Sequence, residues 1–129
     1  MSDGECQEGA TIEASVFAGR MKLDNLIAIV DNNGLQGFER TSNIQSIKSV
    51  AEKFRSSKWR LKEIDGHNHS QIRKELSNAH NIDGKPTLIV ANTIKGKGVN
   101  FIEDKLEWHY KSPSDGQVSE FITQLRGVR

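Results

Sequence analysis

Three short apolar segments alternate with four segments of helical periodicity, and this alternation limits the folds open to the chain. The apolar segments are residues 26–30, 59–64 and 86–91. The first is continuous and rich in β-branched residues, which predicts a strand buried on both faces, and the second predicts a half-buried strand. Strands that alternate with helices are typical of a parallel, doubly wound α/β sheet with flanking helices. We therefore predict that fold, with residues 1–129 as a single domain.

The helices are predicted from apolar residues that recur three or four positions apart along one helix face. The four sets are Ala10, Ala14, Phe17, Ala18 and Met21; Ile44, Ile47, Ala51 and Phe54; Ile72, Leu76 and Ala79; and Val118, Phe121, Ile122 and Leu125. Ahead of the first helix the sequence has only a turn, at residues 2–4, and no segment that predicts a strand. Three strands are few for a doubly wound sheet, so we expect a further strand from another chain or from a larger unit.

Composition and charge exclude several classes of protein. The chain carries 18 Lys and Arg against 17 Asp and Glu, a formal net charge of +1, so it lacks the basic balance typical of nucleic-acid-binding proteins. Its single cysteine, Cys6, excludes an intrachain disulfide framework and a cysteine-based zinc site. The longest apolar run is much shorter than the roughly 20 residues that a membrane-spanning helix needs. We therefore expect a soluble, cytoplasmic domain that binds neither nucleic acid nor membranes.

Polar residues follow the predicted strands at their carboxyl ends, where parallel sheets bind ligands. Asp31, Asn32 and Asn33 follow the first strand, and Asp3 would join them if a strand led into the opening turn. Carboxylate and amide oxygens suit Mg²⁺ or Ca²⁺, and backbone N–H groups at a helix start near Gly4 suit a phosphate. These residues predict a site for a metal-bound diphosphate. The alternative is that Asp3 is an N-cap and that Asn33 belongs to an ordinary turn.

Two other clusters give weaker signals. Asp65, His67 and His69 supply three ligand atoms, which do not by themselves establish a closed metal site. Lys95 and Lys97 flank glycines, but their spacing is not that of a Walker phosphate loop. We expect a solvated, glycine-flexible loop there, near the entrance of the site.

Seven motifs, in order along nearly the whole chain, resemble the diphosphate-binding half of transketolase. They are residues 3–9 (DGECQEG), 22–27 (KLDNLI), 31–36 (DNNGLQ), 65–67 (DGH), 84–87 (GKPT), 93–99 (TIKGKGV) and 106–113 (LEWHYKSP). The most specific is the thiamine diphosphate motif, in which Asn33 follows Asp3 by 30 residues. Ser2 stands where the family has the first glycine of Gly-Asp-Gly. The last motif is most similar to the amino-terminal subunit of two-subunit transketolases.

The resemblance implies a partial thiamine diphosphate-binding fold, with thiamine diphosphate and Mg²⁺ as cofactors. Carried over by motif, the Asp3 and Asn33 side chains and the Leu35 carbonyl would coordinate the metal. The Gly4 N–H would contact the diphosphate.

Two catalytic residues are also implied by the resemblance, Glu8 and His109. Glu8, and less securely Glu13, would face the dimer interface where family members link paired active sites through carboxylates. His109 matches a family histidine near the aminopyrimidine and the substrate. From the residues alone, Glu8 is a first-turn glutamate and His109 a surface histidine.

The activity implied is two-carbon ketol transfer between sugar phosphates. This chain resembles the second half of the domain, so we expect a complementary transketolase subunit with the pyrimidine-binding domain, and a homo- or hetero-oligomer. The isolated chain would be inactive, because the upstream half and the activating glutamate lie elsewhere in the family. One alternative is a catalytically inactive, truncated relative that acts only as a fold or assembly module. Another is a related enzyme such as deoxyxylulose phosphate synthase.

Overall fold

The order of helices and strands follows the predicted alternation. The computed structural model of the chain describes residues 1–79 and 83–127. Its elements are α1 (Gly9–Arg20), β1 (Ile27–Asn32), α2 (Thr41–Ile44), α3 (Ile47–Ser56), β2 (Arg60–Asp65), α4 (His69–Asn78), β3 (Thr87–Asn92) and α5 (Asp115–Gly127), with 3₁₀ turns at Glu5–Gln7 and Leu106–His109.

The three strands form one parallel sheet in the order β1-β3-β2. Asn92 at the end of β3 lies opposite Asn32 of β1 and Asp65 of β2, so the carboxyl ends of all three strands meet at one edge. β3 is central and is buried from Thr87 to Ala91. The α/β prediction is confirmed.

Helices α1 and α3 cover one face of the sheet. Val30, Leu88 and Val90 contribute to the core on this face, together with Phe54 of α3 and Trp59. The Phe54 and Trp59 rings meet edge to face with their centroids 5.0 Å apart. The Trp59 indole N–H also donates to the Ser15 carbonyl at 2.8 Å, which ties the start of β2 to α1.

Helix α4 lies on the other face, where it packs mainly on β2. Ile64, Ile89 and Ala91 form the core there, packed against α4 through Ile72 and Leu76. The prediction that the first strand is buried on both faces is therefore wrong. Ile29 is 44% exposed, because β1 is at the edge of the sheet and α4 packs mainly on β2.

The second predicted helix is divided into two. Ile44 ends α2, Gln45 is extended, and Ser46 caps a new helix by accepting the Ser49 N–H. Ile44 is consequently 48% exposed rather than part of the helix face that carries Phe54. An N-capping serine two residues after the first apolar position accounts for the break.

The first two residues pair with β1, although the sequence predicted no strand ahead of the first helix. The Met1 ammonium group donates to the Ile29 carbonyl at 2.8 Å, and the Asp31 N–H donates to the Met1 carbonyl at 2.9 Å. Ser2 and Asp31 form a parallel bridge. Asp3 therefore leaves the sheet at the same edge as the ends of β1, β2 and β3.

The long segment after β3 is held to the last helix by aromatic rings. Phe101 lies 4.7 Å from Phe121 of α5 and 5.8 Å from Trp108, between ring centroids. Within the described residues, no helix combines the length and the apolar character needed to cross a membrane.

Candidate functional site

A polar cleft of about 430 Å³ opens at the carboxyl edge of the sheet. Its walls come from the opening turn, the loop after β1, the loop after β3 and the second 3₁₀ turn. Lining residues are Ser2, Asp3, Gly4, Glu5, Asp31, Asn33, Leu35, Gln36, Gly37, Phe38, Lys95 and His109. The structure thus brings together five of the six residues predicted for the site. Glu8 does not line the cleft.

Asp3 is almost fully buried beside the cleft. It is 1% exposed, and its two carboxylate oxygens accept hydrogen bonds from the Gly4 N–H at 3.0 Å and the Thr41 hydroxyl at 2.5 Å. In the part of the chain that the structure describes, no cationic side chain forms an ion pair with Asp3. A buried carboxylate without a charged partner is costly, and a bound divalent cation would offset its charge. This arrangement fits a metal ion.

The Asn33 side chain organises the loop that follows β1. Its carbonyl oxygen accepts the Leu35 N–H at 3.0 Å, and its amide donates to Asp31 at 3.3 Å. Gly34 turns the chain at a φ of 75°, a conformation that suits glycine. Because an amide oxygen has two lone pairs, the Asn33 oxygen retains capacity for a metal ion beside its backbone bond.

Gly4 immediately precedes a three-residue 3₁₀ turn, not an α-helix. The first α-helix starts at Gly9, so the expected dipole end at Gly4 is absent from the described structure. The reason is local: the Glu8 backbone is extended and separates the turn from α1. The Gly4 N–H already donates to Asp3, and the Gln36 side chain lies 3.5 Å from the position of a Cβ at Gly4.

Gln36 is a site residue that the sequence did not single out. Its side-chain Nε2 is buried without a hydrogen-bond partner among the described residues, while the residue lines the cleft. Buried donors are rarely left unsatisfied, so this amide suits a ligand rich in oxygen acceptors. No local pattern distinguishes such a glutamine from any other residue in a polar loop.

The second 3₁₀ turn brings His109 to the mouth of the cleft. The His109 ring lies 4.8 Å from the Tyr110 ring, between centroids, and both residues are exposed. A Cβ at Gly37 would lie 2.5 Å from the Tyr110 hydroxyl and would clash with it. The tyrosine can occupy this position because residue 37 is a glycine. Lys95 enters the same cleft from the loop after β3.

The carboxylates predicted for a subunit interface lie elsewhere on the surface. Glu8 immediately precedes α1, and Glu13 lies within it; both are exposed. Val16 and Phe17 on the same helix are 53% and 61% exposed. These four side chains do not line the cleft, and they are accessible on the surface.

The weak histidine cluster has a structural use. His67 Nε2 accepts the Ile94 N–H at 2.8 Å, which links the loops after β2 and β3. Across residues 1–79 and 83–127 no three His, Cys, Asp or Glu side chains are grouped to hold a metal ion. A metal at the cleft would therefore depend on Asp3 with amide and backbone oxygens, and Mg²⁺ completes such sets with water and phosphate oxygens.

The sheet and its cleft define an α/β protein that binds its ligand at the carboxyl ends of parallel strands. Residues 1–125 match the family described as transketolase, thiamine diphosphate binding domain, and the chain belongs to that family. The fold, the motifs and this match agree, and the prediction of a transketolase-type domain is confirmed.

Similar proteins include chains that are named as transketolase subunits. The chain is 42% identical over 109 residues to the 6-deoxy-6-sulfo-D-fructose transketolase subunit SqwG of Clostridium sp. (strain MSTE9), covering 84% of this chain and 40% of that protein. It is 33% identical over 125 residues to an apulose-4-phosphate transketolase subunit of Phocaeicola vulgatus, covering 97% of this chain and 44% of that protein. The chain thus spans less than half the length of these curated relatives.

Solved transketolases share the fold. The structure superimposes on transketolase from Campylobacter jejuni subsp. jejuni NCTC 11168 with a TM-score of 0.77 and 33% identity, covering 82% of this chain and 16% of that one.

Proposed function

We propose that the chain supplies the metal- and diphosphate-binding part of a transketolase-like enzyme that transfers a two-carbon ketol unit between sugar phosphates. The observation that carries this proposal is the Asp3 carboxylate, which is 1% exposed, has no ion-pair partner in the described residues and lies at the strand ends. A buried negative charge in that position is explained by a cation held together with a diphosphate.

In this proposal, Mg²⁺ is held by the Asp3 carboxylate, the Asn33 amide oxygen and the Leu35 carbonyl. Asp3, Asn33 and Leu35 all line the cleft, which supports the assignment. The Gly4 backbone would lie next to the diphosphate. A Cβ at Gly4 would lie 3.5 Å from the Gln36 side chain. The Gln36 amide, which has no hydrogen-bond partner among residues 1–79 and 83–127, would donate to a diphosphate oxygen.

When bound, thiamine diphosphate supplies the nucleophilic carbon for ketol transfer. The chain's own residues would bind and orient the substrate at the mouth of the cleft. His109 would form a hydrogen bond with a sugar hydroxyl, and Lys95 would offer positive charge to an anionic substrate. The names of both curated relatives include an anionic sugar, which bears a phosphate in one name and a sulfo group in the other.

We further propose that the working enzyme contains a complementary transketolase chain and acts in the cytoplasm. The relatives that are named as subunits support the first part. Glu8 and Glu13 are exposed, as are Val16 and Phe17 on α1, which is consistent with a carboxylate-bearing interface. A free, buried Cys6 suits a reducing compartment.

Calorimetry of the assembled enzyme tests the metal site. Thiamine diphosphate binding should require Mg²⁺, and Asp3→Ala should abolish the Mg²⁺-dependent part. His69→Ala is the matched control, because His69 lies outside the cleft at the start of α4 and should leave the affinity nearly unchanged. Unaltered affinity in Asp3→Ala would remove the basis of the proposal.

A turnover assay separates an enzyme from an assembly module. Ketol transfer by the assembled enzyme should fall with Asp3→Ala and with His109→Ala, whereas cofactor affinity should fall much more with Asp3→Ala than with His109→Ala. Cofactor binding without any turnover by the wild-type assembly would support the inactive relative instead.

A further inference from the structure

Thr41 joins the two loops that carry the proposed metal ligands. Its backbone N–H donates to the Gly34 carbonyl at 2.9 Å, within the loop that holds Asn33 and Leu35. Its hydroxyl donates to the Asp3 carboxylate at 2.5 Å, across 38 positions of sequence. Thr41 is 4% exposed, so both hydrogen bonds are shielded from water. One residue therefore connects both halves of the site.

The chemistry of the Thr41 hydroxyl matches that of an outer partner to a metal ligand. A neutral hydroxyl fixes the orientation of a carboxylate through a hydrogen bond but leaves its negative charge uncancelled. Charge compensation is then left to whatever binds at the cleft. Partners of this kind hold the ligating group in place, and metal affinity depends on them.

We propose that Thr41 is a positioning residue for the metal site, which sets the orientation of the Asp3 carboxylate and its distance from the loop of Asn33 and Leu35. This inference rests on the proposed function, because it needs a cation at Asp3. Mg²⁺ requires near-ideal octahedral geometry at short distances, whereas Ca²⁺ accepts longer and more variable ones. Loss of the Thr41 hydroxyl should therefore weaken Mg²⁺ binding more than Ca²⁺ binding.

The test compares Thr41→Val, which removes the hydroxyl at nearly constant volume, with Thr41→Ser, which retains it. Thiamine diphosphate affinity of the assembled enzyme is measured by calorimetry in Mg²⁺ and, separately, in Ca²⁺. We expect Thr41→Val to weaken the affinity in Mg²⁺ about 10- to 100-fold, with a smaller loss in Ca²⁺. Thr41→Ser should restore most of the affinity in both metals.

Thr87→Val is the matched control for the loss of a buried threonine hydroxyl. Thr87 is 0% exposed, and its hydroxyl accepts a hydrogen bond from Arg60 at 3.1 Å. It starts β3, at the opposite end of the sheet from the cleft. Thr87→Val should therefore lower stability without changing the ratio of affinities in Mg²⁺ and Ca²⁺.

The outcomes separate this inference from the function on which it rests. Equal losses in both metals for Thr41→Val, or no rescue by Thr41→Ser, would overturn the positioning role. If Asp3→Ala leaves cofactor affinity intact, the proposed function itself fails. Should Thr41→Val not fold, NMR of the wild-type assembly decides. The buried Thr41 hydroxyl proton should shift in resonance when Mg²⁺ and thiamine diphosphate are added, and an unchanged resonance would contradict the proposal.

Discussion

Arg40 and Asp104 form a bidentate ion pair, although 64 positions separate them in sequence. The two guanidinium nitrogens donate to the two carboxylate oxygens at 3.2 and 3.0 Å. The Asp104 N–H also donates to the Lys95 carbonyl at 3.0 Å. The ion pair therefore links the loop after β1 to the loop that brings Lys95 into the cleft.

This ion pair should lose its effect on stability in acid. The hydrogen bond from Arg40 lowers the pKa of the Asp104 carboxyl below its ordinary value of 3.8. Because the pKa of Asp104 is lower in the folded state than in the unfolded state, the ion pair contributes to stability at pH values above the unfolded-state pKa. That contribution is lost as the pH falls through the folded-state pKa. A double-mutant cycle with Arg40→Leu and Asp104→Asn, measured by denaturant unfolding, should show coupling at neutral pH that declines as pH falls below 3.8.

NMR titration gives the direct measurement for the same pair. In Arg40→Leu, the pKa of Asp104 should rise back toward 3.8. Lys111→Leu is the control, because Lys111 lies on the same segment and pairs with Glu107 instead, at 3.1 Å. An Asp104 pKa that is the same in wild type and Arg40→Leu would show that the Arg40 hydrogen bond does not cause the shift.

Gly19 should be the least replaceable glycine of the helices. A Cβ at Gly19 would lie 1.7 Å from the Ser57 carbonyl oxygen, where α1 passes the end of α3. Because that oxygen belongs to the backbone, Gly19→Ala must move a helix and should cost about 1–3 kcal/mol or more in the free energy of unfolding. Gly116→Ala in α5 meets nothing within 4 Å and should be neutral or stabilise by up to about 1 kcal/mol. Equal denaturation midpoints for the two variants would refute this packing argument.

The two tryptophans should respond differently to replacement by phenylalanine. The Trp59 indole N–H donates to the Ser15 carbonyl inside the core, so Trp59→Phe removes a buried hydrogen bond that the carbonyl accepts in addition to its bond within α1. This should cost about 1 kcal/mol, beyond the loss of ring area. The Trp108 indole N–H is buried without a partner among the described residues, so Trp108→Phe should cost less or even stabilise. Thermal unfolding of both variants tests the order, and a greater loss for Trp108→Phe would reverse the argument.

The parts of the site that follow from strand order could be predicted from the sequence. Asp3 and Asn33 lie 30 positions apart, but parallel strands end at a common edge, and the structure lines one cleft with both. Side-chain partners distant in sequence could not be predicted. Nothing in the local pattern indicates that the Thr41 hydroxyl bonds Asp3 or that Arg40 bonds Asp104, since both depend on how loops pack in three dimensions.

The same limit applies to burial of the strands. The apolar segment at residues 26–30 predicted a strand buried on both faces, but burial depends on position in the sheet rather than on composition alone. Ile89 in central β3 is 1% exposed, whereas its neighbour Ile29 in edge strand β1 is 44% exposed. The two strands have similar apolar sequences, so only the strand order distinguishes them.

Cys6 should report on the turn that carries Asp3. Its side chain is 0% exposed and donates to the Ser2 carbonyl at 3.2 Å, and burial raises the pKa of the thiol from 9.0 to about 11. Between these two pKa values the unfolded chain loses the thiol proton while the folded protein keeps it, so the free energy of unfolding should decline as pH rises from about 9 toward about 11.

Chemical labelling of Cys6 tests the same turn near neutral pH. A thiol reagent should modify Cys6 only after the turn opens. Mg²⁺ and thiamine diphosphate together should slow this modification further in the assembled enzyme, because binding at Asp3 holds the turn closed. Cys6→Ser supplies the unlabelled blank, and a labelling rate that matches that of the denatured chain would show that the turn does not shield the thiol.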